Sequence, residues 1–66
     1  MSIGQNVKRL REEKGLTQVQ LAEEVGIGRS YLCRIERDSA TLNLNLATVI
    51  ADKLDCSVED LAAQNH

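Results

Sequence analysis

Gln18 to Arg37, QVQLAEEVGIGRSYLCRIER, is the stretch whose reading decides the fold. Leu21, Ala22 and Val25 follow the i, i+1, i+4 spacing of one buried helix face. Leu32 and Ile35 follow the i, i+3 spacing of a second. Gly26 lies at the break, and a glycine just past a helix end adopts positive φ at little cost, so the chain turns sharply there. Ala22 is small where the first of these helices must approach the second. A small residue, a glycine four later, and apolar residues six and nine after the glycine have the spacing of a helix-turn-helix.

On the N-terminal side, Ser2 with Gln5 three residues on reads as a capping box that opens a first helix. Ile3, Val7 and Leu10, at i, i+4 and i+7, form its expected buried stripe, and Arg11 extends that face. Gly15 ends the helix and Leu16 plugs the core beneath the turn. Thr17 with Gln20 caps the second helix, which runs to Val25 with Glu23 and Glu24 on its solvent face. Val19 is apolar where a polar residue is expected.

The third helix begins near Gly28. Leu32 and Ile35 face inward, Arg29, Ser30, Cys33 and Arg34 face the opposite way, and Arg37 extends that outer stripe by a turn. Asp38 to Thr41 is a loop. Leu42 to Leu46, LNLNL, alternates with the period of a strand, but no second strand is available to pair with it. Leu46, Ala47, Ile50, Ala51 and Leu54 continue at helical spacing, so a fourth helix is expected, capped by Asn43 and ending near Leu54. After a turn at Asp55-Cys56, Ser57 with Asp60 caps a short fifth helix holding Val58, Leu61 and Ala62. Gln64 to His66 is expected to fray, and His66 has no assigned role. The reading is an all-α, compact five-helix fold in one domain over 1–66, with the helix-turn-helix at 18–37.

Composition narrows the function. There is no Pro, Trp or Phe, and Tyr31 is the only aromatic, so the core is aliphatic. A protein that stacks single-stranded bases on aromatic platforms is thereby disfavoured. No apolar run approaches a membrane span and no signal-peptide pattern opens the chain, so a cytoplasmic protein without membrane contact is expected. Cys33 and Cys56 are too few and too far apart for a zinc site or a disulfide framework. Nothing in the Ser, His and Asp arrangement resembles a nucleophile with its base; no enzyme, cofactor or metal is expected. Net charge is −2, yet residues 1–37 carry seven Lys and Arg against five Glu, whereas 38–66 carry Lys53 against five acids. The basic excess lies with the helix-turn-helix, and the acidic end would face away from a polyanion.

From about Ile3 to Leu61 the chain resembles the Cro/CI-type (Xre-type) transcriptional regulators. The resemblance is carried by Arg11, Gly15-Leu16-Thr17-Gln18, Leu21-Ala22, Val25-Gly26, Arg29-Ser30-Tyr31, Ile35-Glu36-Arg37 and Ser57-Val58-Glu59-Asp60-Leu61. It implies a lambda-repressor-like DNA-binding domain whose third helix lies in the major groove. Base contacts are then expected from Arg29, Ser30, Cys33 and Arg34, with Arg29 suited to O6 and N7 of guanine together. Phosphate contacts are expected from Thr17, Gln18 and Arg37, and from Tyr31 unless its ring packs half-buried on the second helix. Cys33, on the reading face, is taken as a small side chain that fits the groove rather than a redox sensor. Arg11 and Glu36 match a structural ion pair that the family keeps between the first helix and the end of the third.

Two features depart from the family. The loop Asp38-Ser39-Ala40-Thr41 lacks the Lys or Arg that often holds phosphate there, and Leu42 stands where many members have Pro. Phosphate anchoring is therefore lighter, and base contacts and dimerisation matter more. The resemblance implies a regulator that binds a near-palindromic operator as a homodimer, acting as repressor or autoregulator. The candidate dimer surface is Leu42, Leu44, Cys56, Val58 and Leu61, at least one of which is expected to be core instead. Controller proteins of restriction–modification systems are the leading sub-reading, on length, on Arg-Ser/Thr-Tyr at the start of the third helix and on the absent loop Pro. The alternative is a protein–protein module or antitoxin; RNA polymerase and a toxin are the further partners such proteins take.

Overall fold

A computed structural model describes residues 2–63. Gln64 to His66, expected to fray, lies outside the described residues. The helices are α1 (Ile3–Glu13), α2 (Gln18–Val25), α3 (Arg29–Glu36), α4 (Leu44–Lys53) and α5 (Val58–Ala62), with no strand among the described residues. The five-helix, all-α expectation holds, and LNLNL opens α4 instead of forming a strand.

The helix starts are set by local chemistry. Ser2 Oγ accepts from Gln5 N–H at 3.1 Å while Gln5 Oε1 accepts from Ser2 N–H at 3.1 Å. Thr17 with Gln20 and Ser57 with Asp60 repeat this reciprocal box on α2 and α5. Asn43 Oδ1 accepts from Leu46 N–H at 2.7 Å at the head of α4. Each satisfies amides that the helix itself leaves unpaired. Only α3 begins without a side-chain cap, at Gly28. Gly26 closes α2 at φ 88°, and its N–H and that of Ile27 both reach Ala22 O.

Leu21, Leu32, Ile50, Leu61 and Val7 are fully buried and meet Ala22, Ala47, Ala51 and Leu54 in one aliphatic cluster. Each such Leu or Ile stabilises the fold by about 1.5–3 kcal/mol relative to exposure. α1 packs on α3 and α5, α2 on α3 and α4, and α4 on α5. The small side chains of Ala22, Ala47 and Ala51 allow these close approaches.

The first stripe needs correction. Val7 is buried as expected, but Leu10 is only partly buried and Ile3 is 41% exposed. Periodicity gives the direction a side chain points, not where the covering elements end, and Ile3 is the first residue of α1. The residue that completes the buried face is Asn6, at 0% exposure. Its Nδ2 donates to Leu61 O and Ala63 O, each at 2.7 Å, so it ties α1 to the end of α5. Leu61 is likewise core, at 1% exposure, which removes it from the expected dimer surface. Leu42, Cys56 and Val58 are half-buried against the core, and Leu44 is 72% exposed.

α1 and α3 are joined by a second device. Gly4 lies so close to the end of α3 that a Cβ there would sit 2.2 Å from Ile35 O. Asp38, in the left-handed region at φ 61°, turns its carboxylate back onto the start of α1. It accepts from Ser2 Oγ at 2.6 Å and from Gly4 N–H at 3.1 Å. At the opposite end of α1, Lys14 pairs with Asp55, which also has positive φ.

Candidate nucleic-acid interface

The outer face of α3 carries Arg29, Ser30 and Arg34, all exposed, with half-buried Cys33 between them and exposed Arg37 just past the helix end. Leu32 and Ile35 hold the inner face. The α3 face thus presents three guanidinium groups, and the one acid on the helix, Glu36, is buried.

Glu36 organises the junction behind this face. Arg11 Nε donates to its Oε2 at 2.7 Å and Arg11 Nη2 to its Oε1 at 3.1 Å. Arg11 Nη1 donates to Leu16 O at 2.7 Å, in the turn leading to α2. The bond to Glu36 raises the Arg11 pKa, against the opposing effect of burial. Gln18 Nε2 also donates to Glu36 Oε1, at 3.0 Å. One carboxylate therefore fixes α1, the first turn of α2 and the end of α3 together.

Gln18 thus has a partner that the sequence did not reveal. Residues 18 apart carry no local signal of contact. The bond uses one of two amide N–H groups and orients the other, beside the free backbone amides of the α2 N-terminus. A shallow groove here is lined by Thr17, Gln18, Val19 and Arg29. Val19 is 46% exposed on it.

For Tyr31, expected either to contact phosphate or to lie half-buried, the structure shows the burial. Its hydroxyl donates to Thr41 O at 3.2 Å. A phenol has one proton, so in this conformation none is free for a phosphate oxygen. The Arg34 guanidinium carbon lies 5.7 Å from the centre of the Tyr31 ring, within cation–π range.

Away from this face, burial pushes the Cys56 thiol pKa up, with Asp60 and Asp55 adding to the effect. Among the described residues, no three His, Cys, Asp or Glu side chains gather to hold a metal ion. No described helix is long and apolar enough to cross a membrane.

Residues 7–61 match the helix-turn-helix family. The immunity repressor protein of Bacillus phage phi105 is 41% identical over 64 residues, which is 97% of this chain and 44% of that protein. The transcriptional regulator SinR of Bacillus subtilis is 38% identical over 65 residues, 97% of this chain and 59% of SinR. The crystal structure of SinR in complex with DNA is similar at TM-score 0.84 and 38% identity, over 89% of this chain and 95% of that one. The restriction–modification controller protein C.AhdI of Aeromonas hydrophila is similar at TM-score 0.85 and 36% identity, over 89% of each chain. This chain spans about half the length of the curated relatives it matches.

Proposed function

Because this chain belongs to the Cro/CI-type helix-turn-helix family, we propose that it is a transcriptional regulator that binds a specific double-stranded DNA sequence. The observation that carries this reading is the outer face of α3, where Arg29, Ser30, Arg34 and Arg37 are exposed while Glu36, the one acid on the helix, is buried. The Arg11–Glu36–Gln18 junction holds that face in a fixed relation to the α2 N-terminus. α3 enters the major groove, Arg29 reads guanine, and Ser30, Cys33 and Arg34 meet neighbouring base edges. Gln18, with Thr17, and Arg37 at the far end of α3 hold phosphates on either side.

One such face is small for a specific site, so the chain acts as a homodimer on a near-palindromic operator, with half-sites about 34 Å apart. Leu44 heads the surface left for pairing, with Leu42, Cys56 and Val58 at its margin. The role is that of a repressor or autoregulator in the cytoplasm, not an enzyme. A controller protein of a restriction–modification system is the leading form, supported by the likeness to C.AhdI over 89% of both chains. The second reading is an interaction module or antitoxin, favoured by the net charge of −2 and the exposed Leu44. A toxin would then be the protein partner, whereas RNA polymerase is the partner of the DNA-bound regulator if it activates.

Selection of duplexes from a random pool at near-physiological salt tests this. A palindrome with half-sites one turn apart is the expected outcome. No enrichment by the folded protein moves the reading to the interaction module.

A further inference from the structure

We propose that Tyr31 is a positioning residue for Arg34: its ring holds the guanidinium in the pose that meets DNA, and its hydroxyl fixes that ring to the loop after α3. The inference rests on the DNA-binding reading above and deepens it. Three observations carry it. Arg34 is exposed on α3 with its guanidinium 5.7 Å from the Tyr31 ring centre, three residues back along the same helix. Among the described residues it forms no ion pair, so the ring is the group the structure places against it. The Tyr31 hydroxyl, in turn, donates to Thr41 O, ten residues on, where the chain approaches the cap of α4.

The chemistry explains why this pairing serves recognition. A free arginine side chain samples many rotamers, and ordering it on binding weakens affinity. A guanidinium lying on an aromatic face keeps its in-plane N–H groups unspent, and those are the donors that reach a phosphate or a base edge. The loop Asp38–Thr41 has no basic residue to anchor phosphate, so an arginine held in advance on α3 compensates in part for that departure. Tyr31 itself makes no demand on DNA, because its one proton is engaged by Thr41.

The test is a set of double-mutant cycles on the selected duplex, with Arg34→Ala made in wild-type, Tyr31→Phe and Tyr31→Leu backgrounds. Phenylalanine keeps the ring and loses only the hydroxyl. Leucine removes the ring. The affinity loss caused by Arg34→Ala is expected to be largest in wild type, smaller in Tyr31→Phe, whose ring is released from Thr41, and smallest, by roughly two- to fivefold, in Tyr31→Leu. A purely structural role for Tyr31 would lower the melting temperature without changing the Arg34→Ala loss. In the unbound protein, the Arg34 side-chain protons should show an upfield ring-current shift that survives Tyr31→Phe and disappears in Tyr31→Leu. An equal Arg34→Ala loss in all three backgrounds overturns this proposal alone, as does an absent ring-current shift. A wild-type chain that selects no duplex overturns the DNA-binding reading and this one with it.

Discussion

Arg11 Nε and Glu36 Oε2 lie 2.7 Å apart across the α1–α3 junction, and both residues are almost completely buried. Every side chain that meets Glu36 comes from a different part of the chain, and Arg11 also spans to the carbonyl of Leu16. Arg11→Ala leaves a carboxylate with Gln18 as its remaining side-chain donor. Breaking a buried pair from one side costs about 3–5 kcal/mol, a large share of what a domain of this size possesses. Thermal melts should show a large loss, and duplex affinity should fall with it because α2 and α3 lose their common anchor. Arg11→Lys should recover little, since an ammonium cannot reproduce the three-way fork. Equal melting temperatures for Arg11→Ala and wild type would sink the assignment.

Gly4 and Gly28 should respond to substitution with opposite signs. Alanine is normally the better helix residue by about 0.5–1 kcal/mol. At Gly4, however, the new Cβ would sit 2.2 Å from Ile35 O and 2.6 Å from Asp38 Oδ1. The α1–α3 contact must open, so Gly4→Ala should destabilise by about 1–3 kcal/mol in urea unfolding, as overpacking does. Gly28 has open space around it and the extended backbone of an N-cap, at φ −76° and ψ 150°. Gly28→Ser supplies the missing cap and should stabilise by a few tenths of a kcal/mol. A gain at Gly4 would show that the helices are not in close contact.

What could be read from the sequence, and what could not, follows the range of each interaction. Ser2, Thr17, Asn43 and Ser57 were legible as caps because each acts on a residue three positions away. Gly26 was legible for the same reason. Asn6 was not, because the carbonyls that justify burying it are 55 and 57 residues on, and a polar residue in a helix reads as solvated by default. The Asp38 clamp on Ser2 and Gly4 was hidden by separations of 36 and 34 residues. In the interface, the outward stripe of α3 followed from its spacing, and the Arg11–Glu36 pair from the family pattern. The bonds that orient Gln18 and Tyr31 had no periodic signature.

Asn6→Asp should expose how the α5 anchor works. Asn6 donates from Nδ2 to two carbonyl oxygens, while its Oδ1 is buried with no partner among the described residues. Asn6→Ala loses two hydrogen bonds and should cost about 1–3 kcal/mol, with faster amide exchange in α5 than in α2. Asn6→Asp places a carboxylate against those same carbonyls. Its folded pKa must rise above the unfolded value, so its penalty is present at neutral pH and lifts as pH falls through the folded pKa. Urea midpoints that are flat with pH for this variant would contradict the anchor.

Asp60 should behave in the opposite sense. Its carboxylate accepts from Ser57 N–H at 3.0 Å in the α5 capping box, and hydrogen bonds from Ser57 hold its pKa below the ordinary carboxylate range. A lowered folded pKa contributes stability above the unfolded value, about 3.9, and that contribution is lost as pH falls through the folded value. Carboxyl NMR titration should place Asp60 below the unfolded value, and Asp60→Asn should remove that low-pH step. A normal titration for Asp60 would mean the box is not formed in solution.

Arg29 and Arg37 should separate sequence reading from phosphate anchoring. Arg29 is the first residue of α3 and borders the groove at the α2 N-terminus, whereas Arg37 caps the far end of α3. A guanidinium at the leading end can offer paired donors to O6 and N7 of guanine, a pattern no other base presents. Arg29→Ala should therefore cost about 1–3 kcal/mol on the preferred duplex and relax the preference at one position of each half-site. Arg37→Ala should weaken all duplexes alike and reduce the slope of log affinity against log salt by about one. Neither substitution touches the core, so melting temperatures should stay near wild type. If Arg29→Ala enriches the same sequences as wild type from a random pool, the base-reading role moves further along α3, to Ser30, Cys33 or Arg34.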